Sequence, residues 1–460
     1  MGIEAVPPVL LFSFRLVPAV QLLVPSQRVP RYEGSSQLRS SNLTSERFDC
    51  PRTKSSTGCR SFDTKSFWVT QEMKHQHGDG VPQYIAGQVF GSSESPAAVN
   101  SLDFHKDGKF FVTASDDGMI ELFDSLKARQ RKVAKSTSRG ARLIQCTHHE
   151  QAVVYANARA TAASGSAPAS SVGDINYHSL YDNRYIRHYA GNEGETLSLA
   201  MSPVDDTFLS TSADCALRLW DLRENHAVGM ARLPPQNVTS VSAVPARSSV
   251  AYDPSGKIFA LWTHDATLRL YDSANWAPGP FQTWHLSPSV RGAGGAHKAI
   301  DRALGTGVER LLFSPNGELM LLVTSGSDMV LVKSYDDTED LTEPPIKVLR
   351  GRQRGRSVAQ GSPALPLGVG FSPDSKWILG GSECGKTLLW SSAGEPASAS
   401  ATPVEESPAD VLRMHRAPVR ALAWNPRYDC FATAASKTVL WRRDGTESAA
   451  EEGAGASGGT

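Results

Sequence analysis

The chain has 460 residues, 40% of them hydrophobic and 20% charged, and its 47 Lys and Arg balance its 47 Asp and Glu for a formal net charge of zero. These values are typical of a folded globular protein, and they exclude long-range attraction of the whole molecule to nucleic acid or an anionic membrane. Residues 1–80 are rich in Ser, Arg and Pro, which predicts a disordered N-terminal extension. Their apolar first 25 residues are broken by prolines and carry Glu4, so they fit neither a signal peptide nor a spanning helix. Whether they are a targeting segment stays open.

A recurrent unit follows this extension. Each copy has an alternating strand with a Pro- or Asp-Gly turn, a second strand that ends in small residues, an Asp- or Gly-bearing turn, and a third strand that closes in an aromatic. Period-2 alternation predicts strands, and a repeated unit predicts neighbours that bury each other's faces. The clear copies span 101–124, 197–221, 249–272, 309–335, 367–390 and 419–441, and a degenerate copy lies at about 143–179.

The repeat predicts an all-β, seven-bladed β-propeller over residues 82–443, flanked by the extension at 1–80 and a disordered tail at 444–460. The segment PQYIAGQVF (82–90) alternates like a strand, and we expect it to supply the outer strand of the last blade. Low-complexity inserts are predicted at 160–172, 287–300 and 350–366, and disorder at 392–410.

Several blades share a hydroxyl, an Asp and a closing aromatic at fixed offsets. An Asp in a tight turn accepts backbone N–H bonds, and the hydroxyl and ring complete a buried network. Because an unsatisfied buried donor costs about 1–3 kcal/mol, we interpret these residues as structural. They are Ser115, Asp117 and Phe123 in blade 1, Ser212, Asp214 and Trp220 in blade 3, Thr263, Asp265 and Tyr271 in blade 4, the closing Trp390 and Trp441, and His415 before the last copy.

One motif is typical of an enzyme. Residues 380–387 (GGSECGKT) match the phosphate-binding pattern G-x-x-x-x-G-K-[ST]. That pattern needs a helix after the loop, whereas a strand ending in Trp390 follows here, so a blade turn is favoured. The pairs His75/His77 and His148/His149 each lack a third metal ligand. The six cysteines show no metal-ligand spacing, which favours reduced thiols. No catalytic residue, cofactor or metal is predicted.

Two basic stretches fall between predicted blades. Solvated loops are the simpler interpretation, and docking of an acidic or phosphorylated peptide is the alternative. Neither stretch has interleaved aromatics for base stacking, so RNA reading is not predicted. The first holds Lys127, Arg129, Arg131, Lys132, Lys135, Arg139 and Arg142, and the second Lys347, Arg350, Arg352, Arg354 and Arg356. The candidate partner-binding residues among them are Arg129, Arg131, Lys132, Arg352, Arg354 and Arg356.

The copies resemble WD repeats, most clearly in LRLWDLR (217–223). Residues 180–223, from LYDNRYIRHY to LRLWDLR, resemble the WD repeat-containing protein 82 family more specifically. THHEQAVVYANA (147–158), ANWAPGPFQTW (274–284) and WILGGSECGKTLLW (377–390) are similar in register. The resemblance covers about 82–443. Two positions depart from the family: its Gly-His before blade 3 is Gly191-Asn192 here, and its Asp in blade 6 is Cys384.

That family supplies the WD-repeat subunit of COMPASS-type histone H3 lysine-4 methyltransferase complexes. The resemblance implies a non-catalytic nuclear scaffold that binds a SET-domain methyltransferase and other COMPASS subunits. It also implies that protein phosphatase 1, cleavage/polyadenylation factors and the RNA polymerase II C-terminal domain are partners. It implies neither a small-molecule substrate nor an association with a membrane. Trp220-Asp221-Leu222-Arg223 also matches the WDxR box of cullin-4 ubiquitin ligase substrate receptors. Arg223 is therefore a further candidate partner-binding residue, and such a receptor is the alternative function.

Overall fold

The computed structural model describes residues 81–91, 97–136, 140–157, 173–233, 248–286, 298–334, 346–354, 366–393 and 404–444. The predicted extension at 1–80, the insert at 160–172 and all but the first residue of the tail lie outside these ranges. Within them, 29 strands form seven separate sheets. Each sheet is one blade of a ring, so the seven-bladed propeller is confirmed.

The first described strand is β1 (Tyr84–Phe90), and the blades follow in chain order. Blade 1 contains β2 (Val99–Phe104), β3 (Phe110–Ser115), β4 (Met119–Asp124) and β5 (Arg129–Lys135). Blade 2 contains β6 (Ala141–Cys146), β7 (Ala152–Asn157), β8 (Ile175–Ser179) and β9 (Arg184–Tyr189). Blade 3 contains β10 (Thr196–Met201), β11 (Thr207–Ser212), β12 (Ala216–Asp221) and β13 (Ala227–Arg232). Blade 4 contains β14 (Ser249–Tyr252), β15 (Ile258–Thr263), β16 (Thr267–Asp272) and β17 (Gln282–His285).

Helix α1 (Lys298–Leu304) leads into blade 5. Blade 5 contains β18 (Val308–Phe313), β19 (Leu319–Thr324), β20 (Met329–Lys333), β21 (Ile346–Leu349) and a fifth strand, β25 (Val404–Glu406). Blade 6 contains β22 (Val369–Phe371), β23 (Trp377–Gly381), β24 (Lys386–Ser391) and β26 (Asp410–Arg413). Blade 7 contains β27 (Ala421–Trp424), β28 (Cys430–Ala434), β29 (Thr438–Arg443) and β1.

The ring closes through β1, as predicted. This strand pairs antiparallel with β29, from Tyr84 opposite Arg443 to Phe90 opposite Thr438. The Tyr84 hydroxyl donates to Asp429 Oδ1 at 3.1 Å. The first described strand is thereby fastened to the last blade, and the sheet edge of β29 is covered.

The core is divided among the blade interfaces. The buried apolar residues form seven clusters, and each cluster lies between two neighbouring blades of the described ring. Between blades 2 and 3, for example, the rings of Phe208 and Trp220 stack 6.1 Å apart, and Tyr189 meets Trp220 edge-on. Because each blade buries both faces against its neighbours, the interfaces stabilise the ring as a whole.

Side chains also join the innermost strands of neighbouring blades. These bonds satisfy backbone donors that the antiparallel ladders leave unpaired on the channel side. Ser101 Oγ accepts from Ile144 N at 3.0 Å, Gln145 Oε1 accepts from Met201 N at 2.6 Å, and Ser249 Oγ accepts from Leu311 N at 3.0 Å.

One of the predicted low-complexity inserts borders a helix, and the disorder predicted at 392–410 was wrong in part. The stretch at 287–300 leads directly into α1, whose Ile300, Ala303 and Leu304 are buried in the cluster between blades 4 and 5. The stretch at 392–410, expected to be disordered, contains β25 and reaches the first residue of β26. Apolar contacts hold α1, and ion pairs hold β25. Neither element shows the long alternating pattern by which the sequence identified the other strands. No helix in the described part of the chain is long and apolar enough to cross a membrane.

Candidate interaction surfaces

The turn Asp of blade 3 serves its own blade. Asp214 Oδ1 accepts from Ala216 N and Oδ2 from Glu193 N, each at 3.1 Å, and Arg218 pairs with it at 2.7 Å. Burial raises the pKa of this carboxyl, but the Arg218 guanidinium and the Glu193 N–H outweigh it, so the pKa lies below its ordinary value. These contacts make the carboxylate an acceptor for backbone N–H groups of the turn.

Blade 4 repeats the arrangement and blade 1 varies it. Asp265 pairs with Arg269 at 2.8 Å and accepts from the Thr263 hydroxyl. In blade 1 Asp117 Oδ1 accepts from Met119 N at 3.1 Å, and the Ser115 hydroxyl donates to Met119 O at 3.0 Å. Phe123 and Tyr271 replace tryptophan in these blades and stack on the neighbouring strand, 4.8 Å from Phe111 and 5.0 Å from Phe259 respectively.

The hydroxyl partner of Trp220 differs from the predicted one. Trp220 Nε1 donates to Ser210 Oγ at 2.9 Å, whereas Ser212 Oγ donates to Gly194 O at 3.1 Å. The strand register explains this. Phe208 lies opposite Trp220, so Ser210, two residues on and on the same face, lies beside the indole.

The other tryptophans follow the same register. Trp441 Nε1 donates to Thr433 Oγ1 at 2.8 Å, and His415 Nε2 lies 2.7 Å from that hydroxyl. Burial lowers the pKa of His415 to about 4, so a neutral His415 can accept a hydrogen bond from the Thr433 hydroxyl. The sequence had indicated the opposite direction, with His415 as the donor. In blade 6 glycine takes the hydroxyl position, and Trp390 Nε1 donates instead to Arg350 O at 2.9 Å.

The phosphate-binding pattern is a blade turn, as predicted. Its residues join β23 to β24, and Gly385 has a φ of +79°. A Cβ there would lie 2.2 Å from His415 O, so the close approach of the blade 6–7 connection requires glycine. Among the described residues, no group of three or more His, Cys, Asp or Glu is arranged to hold a metal ion.

The second basic stretch is not a solvated loop where the structure describes it. Arg352 is 1% exposed and donates to the carbonyls of Thr324 and Gly326. Arg354 and Glu309 form a 2.6 Å ion pair in which both side chains are buried. Arg352 and Arg354 therefore fix the connection between blades 5 and 6 rather than offer a docking surface. Arg356 lies outside the described residues.

The first basic stretch is not a connection either. Its central residues form β5, the outer strand of blade 1. Arg131 pairs with Asp124 at 2.5 Å, while Arg129 is exposed on the same strand. Lys132 donates to Tyr181 O at 2.7 Å and lies 4.6 Å from the centre of the Tyr181 ring. A basic outer strand with an adjacent aromatic is thus the exposed feature in this part of the ring.

Sequence reasoning missed that aromatic neighbour. Tyr181 is 72% and Tyr185 37% exposed. Both belong to the turn and strand after β8, about 50 residues beyond Lys132 in sequence. Only the packing of blade 2 on blade 1 brings them together, although the run LYDNRYIRHY (180–189) is unusually aromatic and basic for an outer strand.

The WDxR arginine lies at the ring edge where β12 leads into β13. Arg223 is 77% exposed, and its guanidinium is 3.4 Å from Asp206, which also meets His148 at 3.2 Å. An exposed pair of this kind contributes little to stability. With 77% of its side chain exposed, Arg223 is accessible to a partner.

The fold and these blade networks define the class as a WD-repeat β-propeller. The WD domain, G-beta repeat, family matches residues 87–124 and 183–221. The β-propeller domain of Cps50 (Swd1) from Myceliophteria thermophila superposes with a TM-score of 0.54, covering 78% of this chain and 99% of that one, at 12% sequence identity. The likeness to this solved structure supports the fold.

Sequence comparison narrows the class. WD repeat-containing protein 82 of Drosophila melanogaster is 30% identical over 351 residues, covering 76% of this chain and 91% of that protein. COMPASS component SWD2 of Saccharomyces cerevisiae is 26% identical, covering 73% of this chain and 88% of that protein. Set1 complex component swd2 of Schizosaccharomyces pombe is 27% identical, covering 61% and 67%. The chain belongs to the WD repeat-containing protein 82 family.

Proposed function

We propose that this chain is a non-catalytic, nuclear scaffold subunit of a COMPASS-type histone H3 lysine-4 methyltransferase complex. The observation that carries the proposal is the match to relatives named as COMPASS and Set1 complex components, which cover 73% and 61% of this chain respectively. The site geometry agrees with a scaffold, because Asp214, Asp265 and His415 bond to groups that hold the blades together. The methyl transfer would be performed by a SET-domain partner.

The test is affinity purification of the full chain from nuclear extract, followed by mass spectrometry. The proposal predicts recovery of a SET-domain methyltransferase with other COMPASS subunits. Phosphatase 1, cleavage/polyadenylation factors and the RNA polymerase II C-terminal domain belong to the same proposal as further partners. Their recovery without any methyltransferase subunit would mean that the chain is a scaffold of a different assembly and would contradict the proposal.

A second candidate is favoured by one observation, the accessible Arg223 at the end of the WDxR box. It makes the chain a substrate receptor of a cullin-4 ubiquitin ligase. Recovery of the ligase adaptor, lost on Arg223→Ala, supports this candidate. Arg232→Ala, an exposed arginine on β13 of the same blade, is the matched control. Adaptor binding that survives Arg223→Ala removes the argument.

A further inference from the structure

Blade 5 shows how this molecule covers a basic outer strand. Its fifth strand, β25, runs parallel to β21, with Lys347 opposite Val404 and Leu349 opposite Glu406. Glu406 pairs with Lys347, and Glu405 pairs with Arg350 directly after β21. An acidic strand is thus held by backbone pairing and two ion pairs, and Lys347 is 3% exposed beneath it.

Blades 1 and 5 share a hydrogen bond from which their outer strands can be aligned. In each, the last hydroxyl residue of the second strand donates to a carbonyl four residues on. Ser115 donates to Met119 O, and Thr324 donates to Asp328 O. Met119 and Asp328 therefore occupy equivalent positions.

From this point the two outer strands align. The residue after each carbonyl pairs across the ladder, Ile120 with Ala134 and Met329 with Leu349. Counting residues along β5 and β21 from Ala134 and Leu349 aligns the cations of β5 with the cations that hold β25. Lys132 corresponds to Lys347, and Lys135 corresponds to Arg350.

The two lysines also make the same contact with the following blade. Lys347 Nζ donates to Ala393 O at 2.9 Å, and Lys132 Nζ donates to Tyr181 O at 2.7 Å. Both carbonyls lie where the third strand of the next blade leads to its fourth. In blade 6 that connection runs on to β25. In blade 2 it is the short turn at 180–183, and no strand of the described residues pairs with the outer edge of β5.

The surface beside this edge suits a peptide. Val133 on β5 is 49% exposed, which gives the strand an apolar side chain between its two lysines. None of the ion pairs found among the described residues involves Arg129, Lys132 or Lys135. The Lys132 ammonium already covers one face of Tyr181, and the Tyr185 ring stacks on His178 at 4.8 Å. Nucleobases would need these aromatic ring faces for stacking. An added β-strand needs only the backbone edge of β5, so a peptide is favoured over a nucleic acid.

We propose that the edge of β5 binds an acidic β-strand from a protein partner, with carboxylates pairing to Lys132 and Lys135 as Glu406 and Glu405 pair in blade 5. The proposal deepens the proposed function and rests on it, since it assigns a scaffold one docking edge. The recognised chemistry is a short extended segment with adjacent Glu or Asp residues.

The test uses the full chain and a labelled peptide of residues 400–409 (SATPVEESPA), which contains β25, with fluorescence anisotropy as the readout. Because an intrachain segment acts at an effective concentration near millimolar, we expect a Kd on the order of 0.1–1 mM. Lys132→Glu with Lys135→Glu should weaken binding at least about tenfold, as two such pairs are lost. Arg232→Glu, an exposed cation on β13, should leave it unchanged, and a peptide with Glu405→Lys and Glu406→Lys should bind no better than background.

Three results would overturn the proposal: no binding to the wild-type chain at about 1 mM peptide, equal binding by the double variant, or binding of polyuridine but not peptide at this edge. Displacement of β25 from blade 5 would give equal binding by the double variant and so counts against it. Failure here is separable from failure of the proposed function. The first leaves co-purification with a methyltransferase intact, and the second leaves peptide binding intact.

Discussion

At the scale of single residues, one turn position distinguishes the blades. The turn between second and third strands has a left-handed residue, which is Gly118 in blade 1 and Gly385 in blade 6, but Cys215 and Ala266, both at φ +57°, in blades 3 and 4. A Cβ in this region costs about 1–2 kcal/mol. Ala266→Gly removes this strain but also makes the unfolded chain more flexible, which offsets part of the gain. We expect a net increase of about 1 kcal/mol in the free energy of unfolding, measured by chemical denaturation. Gly118→Ala is the mirror control and should lower it. A less stable Ala266→Gly protein would contradict this assignment.

His415 makes stability depend on pH. Its folded pKa is about 4 against an ordinary value of 6.5, so the unfolded chain takes up its proton at higher pH than the folded protein. The stability contributed by the neutral imidazole is therefore complete above about 6.5 and is lost as pH falls toward about 4. We predict that the difference in free energy of unfolding between wild type and His415→Gln shrinks across that window. A difference that stays constant would show that His415 does not titrate in this network.

At the scale of elements, closure depends on β1. Its Tyr84 ring meets Trp424 and Phe431 edge-on at 5.5 and 5.0 Å, and its Phe90 ring lies 4.7 Å from Phe123 of blade 1. We predict that deletion of residues 1–91 lowers the free energy of unfolding by about 3 kcal/mol or more, because the partial burial of two aromatic side chains and the pairing of β1 with β29 are both lost. Deletion of 1–80 alone is the control and should leave the denaturation midpoint unchanged. Equal midpoints for both truncations would mean that β1 does not fasten the ring.

The elements that sequence predicts well are those made by local alternation. The blade strands, the closing strand β1 and the turn at Gly385 all follow from residues within a few positions of one another. The misses share a different cause. Arg354 is buried because Glu309 lies 45 residues earlier and meets it in space, and β25 pairs through Glu405 and Glu406 with Lys347 and Arg350, which are distant in the sequence. No local pattern carries those contacts, so charged segments were expected to be solvated.

At the scale of the whole molecule, the seven interface clusters join the described blades into one ring with edges and rims. We propose that this ring is a scaffold for a histone methyltransferase. The most direct measurement is size-exclusion chromatography of the purified chain mixed with a purified, full-length SET-domain subunit of a COMPASS complex. We expect a single co-eluting species whose formation is unaffected by Arg223→Ala. Separate elution from the methyltransferase, together with co-elution with a cullin-4 ligase adaptor that Arg223→Ala abolishes, would contradict it.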